Sequence, residues 1–403
     1  MLGFSETMSP LRAGSLVAVI AAGLAVVAGS AEAATAVRGI DYDLDGSPAP
    51  VPASLGQLDL YRPAGAVVGE RRPIVVYVHG GGWHKGDKAN AIADKVDLFT
   101  GAGYLFASVN YRLSPNPPDP AYPSDRVRFP DQPDDVAEAI GWIDRNAAGY
   151  GGDPRRIILI GHSAGAQLVA LIGADPGYVT RWGVDPHHLL GTVPLDGVYD
   201  IVSQAAGPRR ALFYNGFATP AENAIDDAWE RGSPIRFADA GDPPTLIVTQ
   251  AGVPPRIAAS AAFADAFGPG RGEVMTVPYD HAGINRAVGA DSDPAGETTA
   301  IMGFIERALA AAKPPRTTIV ARPAKRLKLR RQQRRVRVRF RFRMKGEARG
   351  FKCRLDDGRF RRCSSPRKYR VPRGRHSFRV RAIGAGGEPG PVEQVRFRVV
   401  PHG

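Results

Sequence analysis

Gly161-His162-Ser163-Ala164-Gly165 stands between a β-branched apolar run ending at Ile160 and a helical pattern that begins at Ala166. Small residues around a serine at a strand-to-helix junction permit a tight turn that lifts the hydroxyl above a sheet, where it can act as a nucleophile. The N–H of Ala164 then points to where an oxyanion would form. Upstream, His79-Gly80-Gly81-Gly82-Trp83 follows the run from Ile74 to Val78. Three consecutive glycines expose backbone N–H groups with no side chains in the way, which suits the other half of an oxyanion site. A base is sought among eight histidines, of which only His187, His188 and His281 follow Ser163 before the composition changes near Lys313. His281, in Tyr279-Asp280-His281-Ala282-Gly283, is expected in a turn after the last strand, where its imidazole could reach the serine. His187-His188 follows Asp185-Pro186 in a hydrophilic connection and is expected to be a solvated pair. The chemistry implied is acyl transfer in two steps, with no need of a metal or an organic cofactor.

These residues require a scaffold that repeats strand and helix. Ile74 to His79, Leu105 to Asn110, Ile157 to Gly161, Gly191 to Leu195, Thr245 to Gln250 and Val274 to Tyr279 are short apolar runs, as buried parallel strands are. Val136 to Asn146, Ala164 to Gly173 and Ala258 to Phe267 carry helical patterns between them. The alternation predicts an α/β domain with a mostly parallel sheet flanked by helices. Arg112 to Pro133, with seven prolines, predicts a stiff extended loop near the mouth of the site or a plain surface loop.

In this order the motifs resemble the α/β-hydrolase family, in its esterase, lipase and kynurenine-formamidase-like branch. The likeness covers about Leu58 to Ala310 and rests on His79 to Trp83, Val109-Asn110-Tyr111-Arg112-Leu113, Asp135 to Trp142, Tyr150-Gly151-Gly152-Asp153-Pro154, Gly161 to Gly165 and Leu195 to Asp200. It implies Ser163 as nucleophile, His281 as general base, and an oxyanion hole from Gly81, Gly82 and Ala164. It also implies small-molecule or lipid esters as substrates, with formamides and small amides as alternatives.

One departure stands out. The family places its catalytic carboxylate just after the strand matching Thr245 to Gln250, but this chain reads Ala251-Gly252-Val253-Pro254-Pro255-Arg256 there. The next carboxylate, Asp265, falls within a helical pattern. Some hydrolases of this fold carry the acid after the preceding strand, which points to Asp196 in Pro194-Leu195-Asp196-Gly197. Asp196 could equally be a turn residue satisfying local N–H groups. Asp200 and Asp280 are further candidates, and a Ser-His dyad or an inactive scaffold serving as a binding protein of the cell envelope are the competing outcomes.

Charge divides the chain. From Lys313 onward there are 30 Lys and Arg against five Asp and Glu, leaving 23 against 35 upstream, so the two parts face different partners. The segment Arg335 to Lys345 alternates with period two, cations on one side and Val336, Val338, Phe340, Phe342 and Met344 on the other, which is the pattern of a half-buried strand. Similar alternation at Ser377 to Ala382 and Val395 to Val399, with turns at Asp357-Gly358 and Arg373-Gly374, predicts a small antiparallel β-sandwich. Two cysteines, Cys353 and Cys363, are too few for a disulfide scaffold or a four-ligand zinc site, and leave one disulfide. Phe351 to Asp356, Phe360 to Pro366 and Gly374 to Phe378 resemble bacterial immunoglobulin-like modules appended to exported proteins. The resemblance implies a Cys353–Cys363 bridge across a hairpin and an accessory role. The cationic stripe suggests an anionic cell-surface polymer as partner, with nucleic acid not expected; alternatively it serves solubility and edge protection.

Arg12, the apolar stretch Gly14 to Gly29 and Ala31-Glu32-Ala33 read as a secretory signal peptide, too short for a stable membrane span. The expected organisation is a leader over 1–34, an α/β-hydrolase domain over 37–312, a linker at 313–316 and a basic sandwich over 317–403, in a protein secreted or associated with the envelope.

Overall fold

The computed structural model describes residues 34–44, 46, 52–116, 121–312, 316–345, 348–384 and 389–402. The expected leader lies outside the described residues apart from Ala34, as does the expected linker apart from Arg316.

Eight strands form one sheet: β1 (Thr35–Asp41), β2 (Gln57–Arg62), β3 (Arg72–Val78), β4 (Leu105–Val109), β5 (Gly152–His162), β6 (Leu189–Leu195), β7 (Thr245–Gln250) and β8 (Gly272–Val277), in the order β1-β2-β4-β3-β5-β6-β7-β8. β3 to β8 run parallel, and β1 and β2 add an antiparallel edge. The mostly parallel sheet is as expected, but the sequence pattern did not indicate β1 and β2. β1 is mostly exposed, and β2, though buried at its four central positions, interrupts its apolar residues with Gln57, Asp59 and Arg62.

The central strands explain why their sequence is apolar throughout instead of alternating. Ile74, Val76 and Val78 enter one core with Ile157 and Leu159; Val75 and Tyr77 enter a second with Phe106, Ile158 and Ile160. Side chains of a strand alternate between faces, so a sheet covered by helices on both sides must be apolar at every position. The covering helices include α1 (Ala93–Gly101), α2 (Asp131–Asn146), α3 (Ala164–Ala174), α4 (Pro254–Ala266), α5 (His281–Ala287) and α6 (Glu297–Ala311), with shorter helical turns between β6 and β7. The proline-rich segment is shorter than expected, since α2 already begins at Asp131 and places Pro133 in its first turn, where a missing N–H costs nothing. Its Arg112 is anchored on Asp135, with the backbone N–H donating to Oδ2 at 2.7 Å and the guanidinium donating to Oδ1 through Nε and Nη2 at 2.9 and 2.6 Å.

Close backbone approach sets the turn between β5 and α3. A Cβ on Gly165 would sit 2.2 Å from the Val78 carbonyl oxygen, and one on Gly161 would sit 2.2 Å from that of Gly165. Only hydrogen fits at either place, because such contacts fall far inside van der Waals distance.

The remaining strands, β9 (Arg316–Ala321), β10 (Arg326–Lys328), β11 (Arg335–Lys345), β12 (Ala348–Leu355), β13 (Arg361–Cys363), β14 (Arg367–Pro372), β15 (Gly374–Gly384) and β16 (Glu393–Val400), form two sheets. One is ordered β14-β11-β9 and the other β10-β16-β15-β12-β13. Phe340 and Phe342 from the first pack with Phe378, Val380 and Phe397 from the second in one core, and Phe340 stacks on Phe378 at 4.0 Å. The sheets are antiparallel apart from β10, which pairs parallel with β16. Cys353 and Cys363 are bonded to each other, linking β12 to its neighbour β13.

Gly165→Ala is expected to lower the thermal unfolding midpoint and the soluble yield, because β3 must move away from the turn. Differential scanning calorimetry checks this; a midpoint unchanged within about 1 °C, well under the shift that 1 kcal/mol produces, would refute the close approach.

Candidate active site

The carboxyl ends of the parallel strands carry the polar residues, the usual position for a site in an open α/β sheet. Ser163 follows β5 with φ 56° and ψ −113°, outside the usual regions for a residue with a side chain, and α3 starts at the next residue. The flanking glycines permit that turn and leave Ser163 Oγ projecting from it. Ala164 is the first residue of α3, so its N–H has no helical acceptor behind it.

Asp196 ends β6, also at positive φ (51°), with its N–H donating to the Val248 carbonyl at 2.8 Å. Its carboxylate is 2% exposed. A buried charge needs partners, and three elements supply them: Thr249 Oγ1 of β7 donates to Oδ1 at 3.2 Å, Arg256 Nη1 of α4 lies 2.6 Å from Oδ2, and His281 Nδ1 of α5 lies 2.5 Å from the same oxygen. Burial alone would raise the pKa of this acid, but the His281 hydrogen bond and the Arg256 charge outweigh it and hold the carboxyl below its ordinary range.

His281 is not in a turn, as its sequence setting suggested, but is the first residue of α5, capped by Asp280, which accepts from the Gly283 N–H. From this place the ring, held by Asp196 at Nδ1, puts its Nε2 2.8 Å from Ser163 Oγ. An ionised carboxylate only accepts hydrogen bonds, so Nδ1 carries the proton towards Asp196 and Nε2 is left to accept from the serine. Behind it, His162 Nε2 donates to the His281 carbonyl at 2.7 Å. Burial, and then the nearby His281, push the His162 pKa down to about 4, so this second imidazole is neutral at neutral pH. Two further bonds hold α5: Tyr77 OH donates to Asn285 Oδ1 at 2.8 Å and Lys95 Nζ to the Asn285 carbonyl at 2.5 Å.

A cavity of about 310 Å³ opens over this line and is bordered by Gly82, Ser163, Ala164, Asp196 and His281. Val198, Leu212, Phe213 and Val253 make its walls apolar, and Arg209 and Gln204 add polar groups. Gly81 does not border the cavity; at φ 124° its place is set by the Lys85 backbone, against which any Cβ would collide. None of the described residues from Arg112 to Pro133 borders the cavity. A larger open cleft of about 1280 Å³ contains His187 and His188 but none of Ser163, Asp196 or His281. His188 is not simply solvated: its Nδ1 lies 2.7 Å from Asp144 Oδ1.

The other acids are elsewhere engaged. Asp200 caps a short helix by accepting from the Ser203 N–H, and Asp280 caps α5; Asp265 is exposed on α4. Arg256, Thr249 and His162 were not singled out by sequence. Arg256 lies in the very segment that lacks the expected carboxylate, a signal that is visible only once Asp196 is placed beside it. Among the described residues no cluster of three His, Cys, Asp or Glu is arranged to hold a metal ion, and no helix is long and apolar enough to cross a membrane.

Comparison with known proteins gives consistent findings. The family model BD-FAE matches residues 58–252. The esterase LipQ of Mycobacterium tuberculosis is 27% identical over 196 residues, 47% of this chain and 44% of that protein. The kynurenine formamidase avaC of Aspergillus versicolor is 34% identical over 134 residues, 32% of this chain and 44% of that protein. The chain thus spans less than half the length of these curated relatives. Among solved structures, a truncated carbohydrate esterase from gut microbiota superposes with a TM-score of 0.52 at 21% identity, covering 69% of this chain and 99% of that one, which shows the shared fold.

Asp196→Asn is expected to slow labelling of Ser163 by a fluorophosphonate about 10⁴-fold, the cost of losing tautomer control in a serine protease, with Asp200→Asn and Asp280→Asn far milder. Arg256→Gln should slow labelling less, and should move the acidic limb of its pH profile, where labelling is lost, to higher pH, because the Asp196 carboxyl is no longer held down by the Arg256 charge. An unmoved limb would leave Arg256 with a packing role only.

Proposed function

We propose that the protein, whose residues 58–252 match the BD-FAE family model, is an α/β-hydrolase of the serine type that cleaves carboxylic esters through an acyl group on Ser163. The observation that carries this reading is the continuous hydrogen-bonded line from Ser163 Oγ through His281 to the buried Asp196 carboxylate, at 2.8 and 2.5 Å.

The steps follow from those atoms. Ser163 Oγ bonds to the ester carbonyl carbon as its proton passes to His281 Nε2. Asp196 stabilises the resulting imidazolium through Nδ1. Negative charge gathers on the former carbonyl oxygen, for which the N–H groups of Ala164 and Gly82 are the donors at the cavity, with Gly81 shaping the loop that carries Gly82. The C–O bond to the alcohol then breaks, and the proton on Nε2 goes to the leaving oxygen. Water gives a proton to the same nitrogen as its oxygen attacks the acyl carbon, and the carboxylic acid departs as Ser163 Oγ is reprotonated. Fixed dipoles do this with little reorganisation, which is why one oxyanion donor can contribute about 3 kcal/mol.

The cavity, at about 310 Å³, lies at the small end of ligand sites, which supports short acyl groups over long lipid chains. Export is part of the proposal and rests on the sequence: Arg12, the apolar Gly14 to Gly29 stretch and Ala31-Glu32-Ala33 have the order of a cleavable leader. The two C-terminal sheets around one core support an accessory module of immunoglobulin-like type.

The test is hydrolysis of 4-nitrophenyl acetate, butyrate and octanoate by the purified chain. Acetate and butyrate should be cleaved at least about tenfold faster than octanoate, with Ser163→Ala reduced to background and an acyl adduct on Ser163 trapped at low pH. Full activity in the serine variant would sink the proposal. Faster cleavage of a formanilide than of the acetate ester would move the substrate class to amides.

A further inference from the structure

The arginine-rich strands have a property that the alternating pattern alone did not define, namely which cations face one another across strands. In the three-stranded sheet Arg337 lies opposite Arg370, Arg339 opposite Lys368 and Lys345 opposite Arg316. In the five-stranded sheet Lys352 lies opposite Arg381, Arg354 opposite Arg379 and Arg375 opposite Arg398. Directly opposed residues share a face, and these alternate with the core residues Phe340, Cys353, Phe378, Val380 and Phe397. All six pairs therefore lie on the outer faces of the two sheets, where like charges a strand apart are destabilising.

Two ordinary explanations do not account for this placement. Cations protect sheet edges from mispairing, but β11 and β15 are the central strands of their sheets. Acidic neighbours could neutralise the stripe, yet among the described residues no ion pair involves any of these twelve side chains, and no ion pair joins β9–β16 to the segment before Ala312.

We propose that the C-terminal β unit is a docking module for a flexible, linear phosphate polymer without nucleobases. Charge selects a polyanion, whose binding removes the repulsion between opposed cations and releases its counterions. Flexibility follows from the two opposite cationic faces, since a planar bilayer can meet only one of them while a chain can run over both. The absence of bases follows from the aromatic residues: Phe340, Phe342 and Phe378 are at most 3% exposed, and the half-buried Phe360 is already covered by the Arg354 and Arg381 guanidiniums at 4.9 and 4.5 Å, so none offers a free platform on which a base could stack. Phosphate fits the dominance of arginine among these residues, because the guanidinium fork donates two parallel hydrogen bonds to an oxyanion and the phosphodiester keeps its charge at every working pH. Same-face residues along a strand recur every ~6.7 Å, giving a ladder of cations for a repeating chain. The proposal rests on the β unit alone and not on ester hydrolysis, so either can fail without the other.

The experiment measures binding of the full chain to long-chain inorganic polyphosphate, with poly(dT), polygalacturonate and vesicles of phosphatidylglycerol and phosphatidylcholine as the other arms. Polyphosphate should bind most tightly, and its affinity should fall at least about 10³-fold between about 50 and about 200 mM salt. Arg337→Gln, Arg339→Gln, Arg343→Gln and Arg370→Gln combined should lower the log–log salt slope by about 3. Lys352→Gln, Arg375→Gln, Arg379→Gln and Arg398→Gln combined should do the same from the other face. Near-ultraviolet circular dichroism of both variants monitors packing of the β unit, and only variants with an unchanged spectrum are compared. No polyphosphate binding at about 50 mM salt overturns the proposal. So does tighter binding to vesicles, poly(dT) or polygalacturonate, or a salt slope that only one of the two variant sets changes.

Discussion

The buried carboxylate of Asp196 is the constraint around which the catalytic half is organised. A charge taken from water at the end of a central strand is tolerable only if donors surround it. Here they come from three separate elements, Thr249 of β7, Arg256 of α4 and His281 of α5. Satisfying the acid therefore fixes where α4 and α5 begin relative to β6. It also fixes the imidazole, because only the tautomer with Nδ1 protonated can face an ionised oxygen, and that tautomer turns Nε2 towards Ser163. The orientation of the His281 ring towards Ser163 is a by-product of satisfying one buried charge.

A second constraint meets the first at the serine. The β5–α3 turn is held by contacts too close for any side chain at Gly161 and Gly165, and this forces Ser163 to a positive φ. The strain is borne by a well-packed sheet whose two faces are both apolar, the environment able to over-determine a single unfavourable residue. His162, whose imidazole is kept neutral by burial, links the two constraints by donating to the His281 backbone. The turn that presents Ser163 thus also holds His281, the first residue of its helix.

The relation between Asp196 and Arg256 gives a physical account of an acid at the end of β6 in place of β7. The segment after β7 still reaches the same spot, but it brings a cation where a carboxylate was expected. Such a cation stabilises the ionised Asp196 and fixes the place of its carboxylate beside His281. The C-terminal sheets follow a different logic, with Phe340, Phe342, Phe378 and Phe397 consumed by the core and every outward position on β11 left to arginine or lysine.

Much of this was legible beforehand. Ser163, the glycine run and His281 could be named because tight turns, exposed N–H groups and strand-to-helix junctions leave local signatures, and Phe340 and its alternating neighbours could be assigned to a core because a strand's period is two. The central parallel strands were visible for a different reason, as short, mostly apolar runs, because helices cover both of their faces. The partners of Asp196 could not be found this way: Thr249, Arg256 and His281 lie 53, 60 and 85 residues away, and no local pattern encodes which of several aspartates three elements will surround. The helical setting of His281 was also hidden, since seven residues are too few to display a period. Sequence determined which groups could react and which faces would be buried, because these depend on side-chain chemistry and local periodicity. Tertiary structure decided which acid meets the histidine and which cations oppose one another, because both depend on strand order and register, and those are settled only when distant segments compete for the same core.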